Sequence, residues 1–180
     1  CIGKETKNIS LYQNLEKTYS GTFTLGKKTL SMDSETEVIE EKPIDFITNE
    51  KIFEVRDNFL GEIWQTPPMF SAINYKGKKL YKYARKGEIV KLEPRKVFVN
   101  NFEINKIELP FSEGMDLKVH FTIKCSKGTY IRVIANDFGE QLGCGAYLSS
   151  LRRINIGDYS VDEALTYDEF MNAFSKFNTN

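Results

Sequence analysis

The sequence is poor in the residues that build metal sites and disulfides. It has three cysteines, one histidine and one tryptophan among 180 residues. The cysteines are far apart and form no C-x-x-C pair, so a structural zinc site built from Cys and His is not expected. The missing disulfide pattern favours a reducing, cytoplasmic environment. No apolar run approaches the roughly 18 residues that a membrane-spanning helix needs, so no such segment is predicted.

The start of the chain and its composition bound the domain count. The first residue is Cys1 instead of Met, and no basic stretch followed by an apolar run opens the chain as a secretion signal would. We therefore expect the chain to begin inside a longer one. Hydrophobic residues make up 41% and charged residues 28% of the chain, which is typical of one folded domain and not of a disordered segment.

The single histidine is poorly placed for catalysis. Residues 117–125 alternate strictly between apolar and polar side chains, which is the pattern of a half-buried strand. His120 falls on the polar face of this strand, beside Lys118 and Thr122. The pattern predicts a solvated strand histidine.

The net charge is zero, but the charges are segregated along the chain. Residues 31–62 hold ten acidic side chains against three basic ones, a local balance of −7. Residues 76–96 hold nine basic side chains against two acidic ones, a local balance of +7. Clustered Lys and Arg interleaved with aromatic residues are typical of a nucleic-acid-binding surface. A solvated helix face has the same pattern, so the charges alone leave both interpretations open.

The hydrophobic patterns predict an α+β domain with a mixed, mostly antiparallel sheet flanked by helices. Strands are expected over residues 17–30, 96–109, 116–125 and 147–160, and a loop or a poor edge strand over 33–45. One helix begins at Thr48, with an apolar stripe that includes Phe53, and Gly61 ends it. Further helices are expected over residues 78–86, 129–142 and 166–174, the second ended by Gly143 and the third opened by a capping box at Thr166.

Three ordered segments resemble a known family. The first is residues 17–19 (KTY) followed by Leu25-Gly26 and Thr29. The second is residues 59–61 (FLG), 65–72 (QTPPMFSA), 77–81 (GKKLY) and 83–87 (YARKG). The third is residues 125–132 (CSKGTYIR), 142–146 (LGCGA) and 151–153 (LRR). Together they closely resemble the bacterial tRNA pseudouridine-55 synthases of the TruB type, over the chain to about residue 170.

This resemblance implies a pseudouridine synthase fold and a domain division. Residues 1–165 would form the catalytic domain, incomplete at its N-terminus, with an RNA-gripping insertion at about 61–95. Residues 166–180 would form a short C-terminal helix and tail, with no additional RNA-binding domain. The implied function is isomerisation of uridine to pseudouridine at position 55 in the T-arm loop of tRNA. The implied partner is the tRNA T-arm stem-loop, with no cofactor, metal, membrane or obligate protein partner.

The resemblance also assigns roles to individual residues. Arg132 matches the arginine that stabilises the ionised nucleophile, and Tyr19 matches the tyrosine that stacks on the target base and helps remove its carbon-bound proton. Leu151 matches a leucine that packs on the base, Tyr130 a tyrosine that buttresses the arginine, and Lys17 supports the strand or a phosphate. The residues expected to contact RNA are Lys78, Lys79, Lys82, Arg85, Lys86, Arg152 and Arg153.

One family element is not found in the sequence. The nucleophilic aspartate of the family lies in a G-x-L-D-P-x-A-T-G block, and none of the aspartates here has those neighbours. We therefore expect the chain to begin immediately after this block and to lack its nucleophile. The alternative is a non-catalytic RNA-binding domain on the same scaffold, with the basic insertion as its working surface.

Overall fold

The structure is a computed structural model that describes residues 1–110 and 116–177. In chain order the strands are β1 (Lys17–Leu25), β2 (Lys27–Thr29), β3 (Val38–Glu41), β4 (Gly61–Gln65), β5 (Asn74–Tyr75), β6 (Lys78–Lys79), β7 (Arg95–Glu108), β8 (Leu117–Cys125), β9 (Ala146–Ile156) and β10 (Tyr159–Ser160). The α-helices are α1 (Ile9–Asn14), α2 (Asn49–Asp57), α3 (Leu80–Ala84), α4 (Ile131–Leu142) and α5 (Tyr167–Phe177). Short 3-10 helices cover Gly3–Asn8 and Val161–Glu163.

Six strands form one antiparallel sheet in the order β10-β9-β1-β8-β7-β4. Two separate ribbons, β2 with β3 and β5 with β6, lie outside it. The mixed α+β class with a mostly antiparallel sheet is therefore confirmed. No helix in the described part of the chain is both long and apolar enough to cross a membrane.

The core lies between one face of the sheet and helices α2 and α4. From β1 it takes Phe23 and Leu25, with Tyr19 packed against this core, because the side chains of a strand alternate between the two faces of a sheet. Helix α4 contributes the buried side chains of Ile131, Ile134 and Phe138. Phe138 packs against Phe23, Phe59 and Phe102. Phe121 joins this cluster through Phe23 and Phe102, and the paired rings lie 4.3–6.4 Å apart between centroids.

Helix α4 approaches the start of β9 as closely as backbones allow. A Cβ atom on Gly139 would lie 2.0 Å from the Ala146 nitrogen and 2.2 Å from the Gly145 carbonyl carbon. The Gly145 N–H donates to the Gly139 carbonyl at 2.9 Å. Gly143 ends the helix in the left-handed region, at φ +86°, as expected for a helix C-terminus. This contact fixes the position of the C-terminal half of α4 against the start of β9.

Most of the predicted elements are present, with adjusted ends. The Thr48 hydroxyl accepts from the Lys51 N–H at 3.2 Å, and the capping box at Thr166 is formed with Glu169. Helix α5 extends beyond the predicted end to Phe177, and residues 178–180 of the predicted tail lie outside the described residues. The strand predicted over residues 17–30 is divided at Gly26, where φ is +80°.

Two predictions of local structure are wrong. Phe53 is 41% exposed, because α2 packs through Ile52 and Val55, and the guanidinium of Arg56 covers the Phe53 ring instead. Residues 78 and 79 lie in a β-hairpin and not in a helix. Lys76 and Gly77 both have positive φ, which is the conformation of a type I′ hairpin turn, so the helix begins only at Leu80.

The packing of α4 gives a direct test of the fold. Gly139→Ala should lower the free energy of unfolding by about 3 kcal/mol or more, at the upper end of overpacking effects, because the new methyl group meets backbone atoms. Urea unfolding followed by circular dichroism measures it. The control Gln141→Ala, at an exposed position of the same helix, should change stability by less than about 0.5 kcal/mol. Equal stability of the two variants would show that α4 does not pack this closely.

Candidate active site

Arg132 lies in the first turn of α4 and is held from two sides. Its Nη1 atom is 2.6 Å from Oδ2 of Asp33, and both side chains are about one-sixth exposed. Its Nη2 donates to the main-chain carbonyl of Phe70. A guanidinium has five N–H donors in a fixed planar arrangement, so two fixed partners set the orientation of the whole group.

Asp33 is itself held rigidly. The Ser31 hydroxyl donates to its Oδ1 at 2.5 Å, and the Glu35 N–H donates to the same oxygen at 3.1 Å. The backbone of Asp33 forms an isolated bridge with Leu148 of β9. The pair with Arg132 joins residues 99 positions apart, and no spacing in the sequence indicates it. The sequence patterns excluded every aspartate of the chain, Asp33 included, as the family nucleophile and did not predict this contact.

A cavity of about 430 Å³ lies over the Arg132 side chain. It brings together three of the residues that the sequence analysis selected, Arg132, Tyr130 and Arg85. Two of them carry a guanidinium, whose N–H donors suit a carboxylate or a phosphate, and Glu35 adds one carboxylate to the same lining. The other lining residues are Glu35, Phe70, Ser71, Ala72 and Tyr81.

Tyr19 and Leu151 lie on the paired strands β1 and β9, and neither lines the Arg132 cavity. Tyr19 is paired with Arg153, and Leu151 with Gly21. Burial raises the pKa of the Tyr19 phenol, and the Arg153 guanidinium opposes this shift. Leu151 is 46% exposed, so an apolar side chain is available at the surface beside these polar groups.

Leu151 also lines a groove of about 330 Å³ that includes His120 and Arg152. His120 lies on the polar face of β8, as predicted, but it is not simply solvated. Its Nδ1 lies 3.1 Å from the Thr22 hydroxyl, and its Nε2 lies 3.3 Å from Oε1 of Glu108.

Lys17 is engaged by the protein itself. Its Nζ donates to the main-chain carbonyls of Gln13 at 2.6 Å and Leu15 at 2.7 Å, at the end of α1. Partial burial lowers the pKa of the Lys17 ammonium, and the nearby Arg153 lowers it further. These bonds join α1 to the start of β1.

The basic residues of the insertion are close to one another. Lys78, Lys82 and Lys86 line a cavity of about 210 Å³ together with Tyr83 and Glu88. The Arg85 guanidinium lies 5.4 Å from the centroid of the Tyr81 ring. Side chains with exposed charge and adjacent aromatic rings suit contacts with phosphates and bases. Within the described residues, no group of three or more His, Cys, Asp or Glu is placed to hold a metal ion.

Two family models match consecutive parts of the chain. Residues 1–131 match the model of the TruB family pseudouridylate synthase N-terminal domain, and residues 132–180 match that of the tRNA pseudouridylate synthase B C-terminal domain. The chain belongs to the TruB family of pseudouridine synthases. Enzymes of this family are isomerases. The two family models meet at Arg132, in the first turn of α4.

Curated TruB relatives cover nearly all of the chain. A protein of Flavobacterium johnsoniae named tRNA pseudouridine synthase B is 46% identical over 92% of this chain and 69% of its own length. A protein of the same name from Chloroherpeton thalassium is 45% identical over 98% of this chain and 70% of its own length. The chain therefore spans about two thirds of each of these TruB relatives.

Solved structures share the fold of this TruB-family chain at lower identity. A crystal structure of a Cbf5-Nop10-Gar1 complex matches with a TM-score of 0.70 and 24% identity, over 99% of this chain and 42% of the other. A structure of an H/ACA RNP bound to a substrate RNA containing 2'-deoxyuridine matches with a TM-score of 0.63 and 22% identity, over 99% of this chain and 40% of the other. At these identities the likeness supports the fold.

The Arg132–Asp33 pair gives a prediction for this TruB-family site. Asp33→Asn should lower the free energy of unfolding by about 1–3 kcal/mol, because it removes one charge of a largely buried, hydrogen-bonded pair. The control Glu35→Gln changes an exposed carboxylate two residues away and should have an effect below about 0.5 kcal/mol. Urea unfolding of both variants decides the matter, and a wild-type midpoint for Asp33→Asn would contradict the pairing.

Proposed function

We propose that the chain is the larger part of a cytoplasmic tRNA-modifying isomerase that converts uridine to pseudouridine at position 55 in the T-arm loop of tRNA. The observation that carries the proposal is Arg132, fixed by Asp33 and Phe70 at the edge of a cavity that also holds Tyr130 and Arg85. The names of its curated relatives, tRNA pseudouridine synthase B, support tRNA as the substrate.

The reaction explains why these residue types are needed. The C–N glycosidic bond of uridine breaks, the base rotates, and a C–C bond to the sugar forms, with no net redox change. A carboxylate nucleophile must stay ionised in the pocket, and a guanidinium beside it favours the charged form. Arg132 uses two of its N–H groups on Asp33 and the Phe70 carbonyl, and a guanidinium has others to offer a second carboxylate.

In this proposal the nucleophilic aspartate comes from outside the 180 residues. Asp33 does not have the sequence neighbours of the family nucleophile. Both of its carboxylate oxygens also accept hydrogen bonds within the protein, Oδ1 from Ser31 and Glu35 and Oδ2 from Arg132. Asp33 therefore orients Arg132, and the second carboxylate binds on the cavity side of the guanidinium.

Tyr19 would stack on the target base, and Leu151 would pack against it. A base that reacts must leave its stack, so it needs flat and apolar walls to receive it. Because burial raises the pKa of the Tyr19 phenol, Tyr19 is protonated at neutral pH. Tyr19 would therefore assist removal of the carbon-bound proton as a neutral phenol that passes a proton on, and not as a phenolate that is already ionised.

The remaining positions divide between support and RNA contact. Lys17 would support the strand that carries Tyr19, through its bonds to the end of α1. Arg152 and Arg153 are exposed on β9 and would contact the RNA backbone. The insertion at about 61–95 would grip the T-arm stem-loop through Lys78, Lys79, Lys82, Arg85 and Lys86.

The alternative function is RNA binding without catalysis. It is favoured by one observation, that none of the 180 residues forms a G-x-L-D-P block. A reading frame that encodes such a block before Cys1 supports the enzyme, and a reading frame that begins without it supports the binding domain.

The 180-residue chain should have no pseudouridine synthase activity on a T-arm transcript, because no group in it replaces the nucleophile. Tritium release from 5-labelled uridine measures the reaction, and the product of the complete reading frame is the positive control. Turnover well above background by the 180-residue chain would contradict the proposal that catalysis needs a further segment.

Arg132→Lys, made in the product of the complete reading frame, should reduce the rate by about 100-fold or more while RNA affinity stays nearly unchanged. Lysine keeps the charge but replaces the planar fork with a point charge, and misplaced catalytic groups commonly cost about this much. Single-turnover kinetics and RNA titration separate the two effects. A near wild-type rate would show that Arg132 does not stabilise the nucleophilic carboxylate.

The insertion should bind RNA mainly through charge. Each phosphate contact contributes about −0.7 to −0.9 to the slope of log affinity against log salt concentration. A quadruple alanine variant should therefore flatten this slope by roughly one to three units, if two to four of the side chains contact phosphate. The replaced residues are Lys78, Lys79, Lys82 and Arg85.

The matched control removes the same charge elsewhere on the surface. Fluorescence anisotropy with a T-arm stem-loop at several salt concentrations compares the two variants. An unchanged slope in the insertion variant, or an equal change in the control, would show that the insertion is not the RNA grip. The control replaces the exposed residues Lys4, Lys51, Lys106 and Lys124.

A further inference from the structure

We infer that Gln65 is a positioning residue that fixes the start of α4, and with it Arg132, by binding both main-chain polar groups of Tyr130. This inference rests on the proposed function, because it assigns Gln65 a task in the placement of the catalytic arginine. Gln65 belongs to the QTPPMFSA segment, but neither the sequence patterns nor the family resemblance gave it a role.

Gln65 makes a two-point contact with Tyr130. It is the last residue of β4, and its side chain is only 3% exposed. Its Oε1 accepts from the Tyr130 N–H at 3.0 Å, and its Nε2 donates to the Tyr130 carbonyl at 3.3 Å. A glutamine amide has the same donor and acceptor as a peptide group, so Gln65 holds Tyr130 as a neighbouring strand would.

This contact lies at the point where α4 begins. Tyr130 is the residue before the first helical turn, has extended φ and ψ, and makes no side-chain cap. Its carbonyl also accepts from the N–H groups of Val133 and Ile134, at 3.1 and 3.2 Å, which are the first bonds of the helix. Tyrosine is a poor residue for this position, where Ser, Thr, Asp or Asn usually supply the cap. Gln65 therefore fixes the peptide plane from which α4 starts.

The same segment of chain also binds the side chain of Arg132. Phe70 follows Gln65 by five residues, and its carbonyl accepts from Nη2 of Arg132. Between them lie Pro67 and Pro68, which are both buried and which restrict the backbone. In the segment of residues 65–70, Gln65 thus binds the main chain of Tyr130, and Phe70 binds the guanidinium of Arg132. Loss of the Gln65 contact would let the helix start shift while Arg132 stays tethered.

Amide hydrogen exchange on the 180-residue chain tests the contact directly. Gln65→Met keeps the length of the side chain and removes both hydrogen bonds, so the Tyr130 amide should exchange at least tenfold faster. The amide of Phe121 in the centre of the sheet should keep its protection. The control Gln141→Met, at an exposed position of α4, should leave the Tyr130 amide unchanged. Unchanged exchange at Tyr130 in Gln65→Met would overturn the inference.

A second variant keeps the test decisive if Gln65→Met does not fold. Gln65→Glu retains the acceptor for the Tyr130 N–H and removes the donor to its carbonyl. Protection of the Tyr130 amide should therefore stay within about threefold of wild type, since a paired amide exchanges only on local opening. If Gln65→Glu unfolds at the wild-type temperature but its Tyr130 amide loses protection, the inference is overturned.

Kinetics in the product of the complete reading frame test the consequence for catalysis. Gln65→Met should lower kcat by about 10- to 100-fold with little change in KM for tRNA, because small misplacements of catalytic groups have effects of this size. Gln65→Glu should recover part of the loss, and Gln141→Met should behave as wild type. A loss explained by the unfolded fraction alone, with unchanged kcat per folded molecule, would contradict the inference. An inactive wild-type product would instead contradict the proposed function, and the exchange result would still decide the Gln65 contact.

Discussion

The packing of helix α4 on the sheet is the constraint on which the site depends. Phe138 enters the phenylalanine cluster of β1, β7 and β8, and the missing side chain of Gly139 lets the helix touch the start of β9. Close-packed interiors resist small displacements, so the helix has one position and one direction. The first turn of α4 carries Arg132, and its placement is therefore set by apolar contacts at the other end of the same helix.

Charge and hydrogen bonding orient the Arg132 side chain, once the packing of α4 has fixed the position of its backbone. Arg132 receives Asp33 from the β2–β3 connection and the Phe70 carbonyl from the insertion, while Gln65 holds the residue where the helix starts. These partners come from two parts of the chain, Asp33 and residues 65–70, and both are far from Arg132 in the sequence. A group oriented before substrate binds needs little reorganisation during the reaction, which is the condition for electrostatic stabilisation in an enzyme. In the proposed function, these contacts would orient Arg132 before the substrate binds.

The sequence predicts the periodic elements well, because their physical cause is local. Alternation reveals β1 and β8, and the apolar stripe of α4 with Gly143 after it reveals that helix. The pair of Arg132 with Asp33 and the contact of Gln65 with Tyr130 join residues 99 and 65 positions apart, so no local pattern contains them. The β5–β6 hairpin was missed because its lysines suit a helix, whereas the positive φ at Lys76 is a property of the folded turn.

Two partners, the Asp33 carboxylate and the Phe70 carbonyl, fix the Arg132 guanidinium in the free protein. Proton–nitrogen NMR of the arginine side chains measures this, with Arg132→Lys to assign the signal and exposed Arg152 as the internal reference. We expect separate Nη proton resonances for Arg132, because its two partners hinder rotation about the Cζ–N bonds. For Arg152 we expect a single averaged resonance. An averaged Arg132 signal, identical in behaviour to that of Arg152, would contradict the fixed orientation of Arg132.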